Sequence, residues 1–211
     1  MDTHYIINIG RQFGSGGQLI GERLASKFGF SYYDKELITL ASKESGLGAE
    51  FFEQADEKKR FSLLSFLGVQ SVVGEENFSN NYLSNEVLFK IQSDVIRELA
   101  TKQSCVFVGR CADYILRENP NCINIFITAD MEDRIKRVQE RDPELSKEKI
   151  KDLLEKTDKK RAGYYDYYTS KTWGVAKSYD LCINSSLLGI EKTVSFLETV
   201  IRKKFNLSEI K

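Results

Sequence analysis

Apolar residues along this 211-residue chain follow two patterns that alternate through the sequence. In one, short unbroken runs of β-branched and aromatic residues are typical of strands buried on both faces of a parallel sheet. These runs cover residues 5–9, 30–33, 105–108, 123–128 and 180–183. In the other, apolar residues recur every three or four positions, which predicts helices with one buried face. The predicted helices cover residues 17–28, 85–101, 132–140, 147–160 and 188–203.

The alternation of strands and helices predicts an α/β fold with a parallel sheet of five strands flanked by helices. A chain of this length is expected to form a single domain, 1–211. Two intervals, 35–103 and 141–173, are too long for simple crossovers, and a structureless loop of either length is unusual. We therefore expect helical insertions at the edge where the strands end, which is where such sheets bind ligands.

Each predicted insertion carries a group of apolar side chains. Residues 61–73 form an apolar stretch in charged surroundings, which indicates the core of the insertion or the surface of a homodimer. The second insertion ends in aromatic residues between Tyr164 and Trp173. These rings could stack on a nucleotide base, but internal packing or a subunit interface is the favoured interpretation.

Composition and charge exclude several classes of function. Lys and Arg together number 31, as do Asp and Glu, so no basic field favours nucleic acid or an acidic membrane as partner. The chain shows no apolar signal region and no apolar stretch of membrane-spanning length. Its four cysteines form no C-x-x-C pair, and we interpret them as buried free thiols of a cytoplasmic protein. The single histidine excludes a histidine metal site.

The most informative motif is GRQFGSGGQ at residues 10–18, between the first predicted strand and the first predicted helix. In this context backbone N–H groups can surround a phosphate at a helix N-terminus. The usual P-loop reads G-x-x-x-x-G-K-[ST]. With Gly16 at the second glycine position, Gly17 replaces the lysine and Gln18 replaces the hydroxyl residue. The candidate donor-binding residues of the loop are Gly10, Arg11, Gly14, Ser15, Gly16, Gly17 and Gln18.

Two alternatives accompany this motif. A glycine-rich turn that binds nothing has the same composition, but the strand before the loop and the helix after it favour phosphate binding. Arg11 stands at the first glycine position of the motif. We expect its guanidinium group to replace the missing lysine, and the alternative is a solvated surface arginine.

Further arginines are predicted at the same edge of the sheet. Arg110 directly follows a buried strand and could clamp a phosphate, or it could pair with Asp113 as a structural bridge. Arg134, Arg137 and Arg141 are spaced by three and four residues, so one helix face carries all three guanidinium groups. Phosphoryl transfer needs positive charge around the moving group and little covalent assistance.

Charged residues also follow the second strand and occupy the second insertion. Asp158 and Arg161, three residues apart, belong to a segment that could close over the loop; a surface helix with paired charges is the alternative. Together with the loop and Arg110, the catalytic interpretation is favoured. Asp34 and Lys35 could contact an acceptor or magnesium-bound water, and a turn aspartate is the alternative for Asp34.

Five segments together resemble the cytidylate kinase-like family, which is similar to true cytidylate kinases within the nucleoside monophosphate kinase superfamily. They read INIGRQFGSGG, SYYDKELI, VFVGRCADYIL, DKKRAGYY and YDLCINSSLLGIE. The resemblance extends from residue 6 to about residue 201. It implies a P-loop kinase with a five-stranded parallel sheet, an acceptor-binding insertion and a lid, which uses ATP and Mg²⁺.

The resemblance also implies roles for individual residues. On the donor side, Gly14, Ser15, Gly16 and Gly17 would hold the β-phosphate, and Asn184 and Ser185 would lie beside the adenine. On the acceptor side, Asp34 and Arg110 would bind the acceptor and its phosphate, and Asp158 and Arg161 would face the acceptor and the transferred group. Leu154 stands where the family's lid carries an arginine. The residues predicted as catalytic are Arg11, Arg110, Arg137, Arg141, Asp158 and Arg161, and those predicted to bind substrate are Asp34, Lys35, Arg110, Asp113, Asp158 and Arg161.

The leading hypothesis is therefore ATP-dependent phosphoryl transfer to a nucleoside monophosphate, or to a related small phosphorylated acceptor. The missing lysine favours one alternative, a nucleotide- or anion-binding regulatory protein with weak catalysis or none. A kinase for a non-nucleotide acceptor is a third possibility. No nucleic-acid or membrane partner is expected, and the apolar insertion makes a homodimer a modest preference.

Overall fold

The computed structural model describes residues 3–44, 46 and 78–208, and within them five strands and seven α-helices. The apolar stretch predicted at residues 61–73 lies outside this part of the chain. In chain order the elements are β1 (Ile6–Arg11), α1 (Gly17–Phe28), β2 (Ser31–Tyr33), α2 (Lys35–Glu44), α3 (Phe78–Lys102), β3 (Cys105–Val108), α4 (Ala112–Ile115), β4 (Cys122–Thr128), α5 (Met131–Arg141), α6 (Lys147–Thr169), a 3₁₀ turn (Ala176–Ser178), β5 (Leu181–Asn184) and α7 (Ser185–Phe205).

All five strands run parallel in one sheet, in the order β2-β3-β1-β4-β5. This confirms the predicted α/β fold. Strand β1 lies at the centre of the sheet, between β3 and β4, and its carboxyl end leads into the glycine loop. Because the strands are parallel, the segments that follow β1, β3 and β4 meet at one edge of the sheet.

The core on one face of the sheet explains the spacing of the apolar residues. Ile7 and Ile9 of β1 belong to a buried cluster with Val108 of β3. Leu24 of α1 and Leu197 of α7 pack in the same cluster and are fully buried. Burial of each such side chain contributes about 1.5–3 kcal/mol, so these contacts hold the loop between β1 and α1 at both of its ends.

Helix α1 has the predicted bounds, whereas α6 continues nine residues beyond the predicted end at residue 160. Its inward face carries Ile150, Leu154, Asp158, Arg161 and Tyr165, which follow one another at intervals of three or four residues. The two charged residues interrupt the apolar stripe, and this is why the hydrophobic pattern ended the helix too early. Helix α2 was not predicted from the pattern.

The chain divides into two compact units, one of residues Met1–Asp34 and Ala100–Lys211 and the other of residues Lys35–Leu99. The first unit contains the whole sheet. Within the second, Ile38 of α2 and Ile96 of α3 are fully buried. The acceptor-binding role of the insertion at 35–103, the lid role of 141–173 and a dimer surface remain predictions.

Three of the four thiols are buried, as expected, and none of the four cysteines, which all lie in the described part of the chain, forms a disulfide. Cys182 is exposed instead, because β5 is an edge strand of the sheet. In the part of the chain that the structure describes, no helix combines the length and the apolar character needed to cross a membrane.

Candidate active site

The loop between β1 and α1 turns its carbonyl groups toward the surrounding helices. The carbonyl oxygen of Phe13 accepts from Arg134 Nε at 2.7 Å, and that of Gly14 accepts from Arg137 Nη1 at 3.2 Å. The carbonyl oxygen of Ser15 accepts from Ser185 Oγ at 2.7 Å. Arg134 and Arg137 belong to α5, and Ser185 begins α7.

The peptide groups that follow these carbonyls direct N–H groups to the opposite side of the loop. A trans peptide unit points its N–H away from its C=O, so the N–H groups of Gly14 and Gly16 face away from Arg134 and Ser185. Among the described residues, neither N–H group has an acceptor. Free N–H groups in a glycine loop at the start of a helix are suited to hold a phosphate.

The side chain of Arg11 occupies the space in which a lysine at position 17 would begin. A Cβ atom built on Gly17 would lie 2.5 Å from Arg11 Cβ and 3.3 Å from Ile127 Cβ. The guanidinium group extends to β3, where a Cβ atom on Gly109 would lie 2.3 Å from Arg11 Nη1. The glycines at 17 and 109 therefore make room for one arginine, which crosses the loop from β1 to the end of β3.

Arg161 and Arg110 lie close to Arg11 at this edge of the sheet. Arg161 Nη1 donates to the carbonyl oxygen of Arg11 at 3.0 Å. Burial of Arg161, followed by the positive charge of Arg11, lowers the pKa of Arg161 to about 9; Asp158 opposes this shift, and Arg110 adds to it. Guanidinium groups gathered this closely around Arg161 form a site that an anion would stabilise.

Arg110 is presented by a tight turn of left-handed backbone. Gly109, Arg110 and Cys111 all have positive φ, at 83°, 58° and 55°. Left-handed residues other than glycine are uncommon, and each costs about 1–2 kcal/mol. The Arg110 guanidinium carbon lies 5.0 Å from the centre of the Tyr164 ring, so this ring contacts an arginine as well as its neighbour Tyr168.

The three arginines of α5 share one face, as their spacing predicted, and all three contact the loop. Arg134 and Arg137 donate to loop carbonyls, and the guanidinium carbon of Arg141 lies 5.5 Å from the centre of the Phe13 ring. They therefore meet the loop on its carbonyl side. Direct contact of Arg137 and Arg141 with a transferred phosphoryl group stays a prediction.

Asp158 of α6 binds the loop itself. Its Oδ1 accepts from the Phe13 N–H at 2.8 Å, and its Oδ2 accepts from Arg134 Nη2 at 2.5 Å. The carboxylate thus touches the phosphate loop and α5 at the same time. Its predicted contact with an acceptor remains untested.

Asp113, predicted to bind substrate, lies in a buried polar contact. It is 9% exposed and accepts from the Tyr165 hydroxyl at 2.7 Å. Burial raises the pKa of Asp113 above its ordinary value of 3.8, and the Tyr165 hydroxyl is the largest of the opposing causes. This contact ties α4 to α6 and gives the carboxyl group a structural partner, while substrate binding by Asp113 remains a prediction.

Removal of the Tyr165 hydroxyl should destabilise the protein in a pH-dependent way. Without this donor the folded-state pKa of Asp113 rises further, so stability is lost as the pH increases from 3.8 through that raised pKa. We expect Tyr165→Phe to lower the free energy of unfolding by about 1–3 kcal/mol at about pH 8, and by less at about pH 5. Thermal unfolding at both pH values measures this, with Tyr167→Phe on the exposed side of α6 as control. Equal losses at both pH values would contradict it.

Asn184 and Ser185, predicted beside the adenine, stabilise the start of α7. The Asn184 side chain accepts from the Ser186 N–H at 2.9 Å and donates to Asp130 Oδ1 at 2.8 Å. Ser185 is fully buried, and its hydroxyl donates to the Ser15 carbonyl oxygen. An adenine contact by these residues stays a prediction, and the Ser185 hydroxyl has a role in shaping the loop that its sequence position did not indicate.

The first turn of α1 lies beside a carboxylate that could help to hold Mg²⁺. Gln18 Nε2 donates to Asp34 Oδ2 at 3.2 Å. Among the described residues no three carboxylate, thiol or imidazole groups form a metal cluster. Mg²⁺ in kinases needs only one or two protein carboxylates in addition to phosphate oxygens and water, so Asp34 and Gln18 fit such an ion. The contact of Asp34 with an acceptor stays a prediction. Lys35 begins α2, in the other compact unit.

Phe13 is a residue of the site that was not predicted from the sequence. Phe13 was read only as a loop position, yet its ring packs with the buried side chains Val138, Ile150 and Leu154. An aromatic residue inside a glycine loop is the signal that could have indicated this anchor. Leu154 is fully buried in the same group, which gives a packing reason for the absence of an arginine there.

Comparison with known proteins places this geometry in a family. The model of the cytidylate kinase-like family matches residues 6–187. A search of curated proteins found no match. Among solved structures, an uncharacterized protein from Eubacterium ventriosum is 28% identical, with a TM-score of 0.71 over 94% of this chain and 98% of that one.

Two shikimate kinases share the fold. That of Bacteroides thetaiotaomicron is 14% identical, with a TM-score of 0.55 over 95% of this chain and 99% of that one. That of Acinetobacter baumannii, solved with shikimate, is 13% identical, with a TM-score of 0.51 over 98% and 97%. Family and fold together support a nucleotide-binding phosphotransferase. Since the family model covers most of the chain, the protein belongs to the cytidylate kinase-like family.

Proposed function

We propose that this protein is an ATP-dependent kinase that phosphorylates a nucleoside monophosphate, such as a cytidylate, or a related small phosphorylated acceptor. The observation that carries the proposal is the path of Arg11, whose stem fills the place of the P-loop lysine and whose guanidinium group lies against Gly109. A positive charge is thus retained between the loop and the end of β3. A protein that had only lost its lysine would have no reason to keep this space for a cation.

The surrounding charges suit phosphoryl transfer. Arg161 bonds to the Arg11 backbone, and Arg110 is close enough to lower the pKa of Arg161. The N–H groups of Gly14 and Gly16 would hold the donor's β-phosphate, and the guanidinium groups would stabilise charge on the transferred group. Little covalent assistance is required, because positioning and charge stabilisation supply most of the rate enhancement.

Mg²⁺, when bound, would neutralise part of the negative charge on the donor phosphates. Asp34 and Gln18 are the residues that would hold it, since they meet at the first turn of α1. Arg110 would orient the acceptor through its phosphate, where two parallel hydrogen bonds from one guanidinium group fix direction as well as distance.

A panel of acceptors tests this proposal. Purified protein is incubated with Mg-ATP and each nucleoside monophosphate, CMP and dCMP included, and ADP release is followed against samples without acceptor and samples with EDTA. Shikimate belongs in the panel because two solved proteins of this fold are shikimate kinases. We expect acceptor-dependent ADP release with at least one nucleoside monophosphate.

Two other outcomes would overturn the proposal in different ways. Thermal stabilisation by ATP without turnover on any acceptor would favour a nucleotide-binding regulatory protein. Turnover with shikimate and with no nucleotide would assign a non-nucleotide acceptor. Arg110 would then bind an anionic group of that acceptor other than a nucleotide phosphate.

A further inference from the structure

Phe13 contacts four residues of the two helices that flank the loop, α5 and α6. Its N–H donates to Asp158, and its carbonyl oxygen accepts from Arg134. The guanidinium carbons of Arg141 and Arg161 lie 5.5 Å and 5.4 Å from the centre of its ring. The two hydrogen bonds fix the peptide groups on both sides of Phe13.

Arg134 and Asp158 make these contacts as a pair. The side chains are only 5% and 15% exposed and bind each other at 2.5 Å. The Arg134 Nε–H donates to the Phe13 carbonyl oxygen, and the Arg134 Nη2–H donates to the Asp158 carboxylate. The two side chains and the Phe13 backbone therefore close a ring of three hydrogen bonds in which each group has two partners.

The contact also determines the direction of the neighbouring peptide. The carbonyl of Phe13 and the N–H of Gly14 belong to one planar unit, so holding the carbonyl on Arg134 points the N–H to the opposite side. A Cβ atom on Gly14 would lie 2.9 Å from the Arg134 carbonyl oxygen, so the backbone of α5 itself lies against the loop at this residue.

We propose that Asp158 and Arg134 are positioning residues that clamp Phe13 and thereby hold the phosphate-binding N–H groups of the loop in place. This inference rests on the proposed function only for the identity of the bound group, which is a phosphate of the donor. In this inference Asp158 acts on the donor side, because it holds the loop that binds the donor phosphate. It does not contact the acceptor. Helix α6 is thereby mechanically coupled to the phosphate loop.

Asp158→Asn tests the clamp without an acceptor. The amide keeps one oxygen but presents an N–H₂ group where a second acceptor is needed, so either Phe13 or Arg134 loses its partner. We expect the Kd for Mg-ADP to rise on the order of tenfold or more, and the Kd for pyrophosphate to rise in parallel. Isothermal titration measures both constants.

Asp166→Asn is the matched control. Asp166 lies on the same helix and also accepts a backbone N–H, that of Trp173, at 2.8 Å, but it is remote from the loop in its contacts. The second readout is amide hydrogen exchange. Exchange at residues 13–16 should accelerate in Asp158→Asn and stay at the wild-type rate in Asp166→Asn, whereas a purely structural loss would accelerate exchange across α6 as well.

Arg134→Lys keeps the test decisive when Asp158→Asn does not fold. Lysine retains the charge beside Asp158 but cannot donate to the carboxylate and the Phe13 carbonyl with the fixed geometry of a guanidinium group. The same rise in Kd and the same exchange pattern are expected. Wild-type affinity for Mg-ADP together with wild-type loop exchange in both variants would overturn the clamp.

The outcomes also separate the clamp from the proposed function. If the wild-type protein binds Mg-ADP but never turns over, the kinase proposal fails and the titrations still decide the clamp. If it binds neither Mg-ADP nor pyrophosphate, the exchange rates at residues 13–16 decide it. If Asp158→Asn loses only acceptor-dependent turnover and binds Mg-ADP normally, the clamp is wrong and Asp158 acts at the acceptor site.

Discussion

Moving the positive charge of the loop from position 11 to position 17 should restore activity that either change alone removes. Arg11→Gly and Gly17→Lys are each expected to lower turnover by a factor on the order of 10² to 10³. The first variant lacks the cation, and the second forces a Cβ atom to within 2.5 Å of Arg11 Cβ. Arg11→Gly combined with Gly17→Lys restores the first glycine and the lysine of the usual P-loop, with Gln18 unchanged, and should recover much of the activity.

This exchange is measured as a double-mutant cycle of turnover and of the Kd for Mg-ATP. Two residues that compete for one space show a large coupling energy, whereas independent sites are additive within a few tenths of a kcal/mol. Gly163→Lys adds the same charge to α6 at a glycine with no atom within 4 Å of a new Cβ, and it serves as control. Full activity of Gly17→Lys alone, or additive losses in the double variant, would refute the role assigned to Arg11.

Gly14→Ala should disrupt the loop far more than a comparable glycine substitution elsewhere. Gly14 has φ of +75°, and a Cβ atom there would meet the Arg134 carbonyl oxygen at 2.9 Å. The left-handed backbone alone costs an alanine about 1–2 kcal/mol. The close contact adds to this cost, because the atom it meets is backbone of α5 and cannot rotate away.

Gly29→Ala separates the cost of the left-handed backbone from the cost of the close contact at Gly14. Gly29 ends α1 with φ of +66°, and a Cβ atom there has no neighbour within 4 Å. Thermal unfolding should therefore show the backbone cost in both variants and an additional loss in Gly14→Ala, together with weakened Mg-ADP binding in that variant only. Equal unfolding temperatures with unchanged binding would show that the loop adapts to the extra carbon.

Much of the fold could be predicted, because strands and helices in this chain have distinct periods. The runs at 105–108 and 123–128 agree with β3 and β4 to within one residue, and the stripe of α1 was predicted at its full length. Periodicity failed in α6. Asp158 and Arg161 occupy its inward face, where a pattern of apolar residues cannot show that the helix continues.

The site was predicted less completely. The convergence of Arg110 and Arg161 on the loop followed from strand ends and helix spacing, and the structure brings these residues together. Several other contacts of the site could not be predicted from strand ends and helix spacing. Phe13 as an anchor, Ser185 as a donor to the loop and Tyr165 as the partner of Asp113 all depend on contacts between residues far apart in the chain.

Local residue types and their spacing were sufficient to predict the five strands, most of the helices, the phosphate-type loop at the end of β1 and the absence of its lysine. The position of the Arg11 guanidinium group and the groups that hold the loop could be known only from the folded chain. The stem of Arg11 excludes a side chain at Gly17, and the Asp158–Arg134 pair holds Phe13. Both arise from packing between elements up to 145 positions apart, which no local pattern encodes.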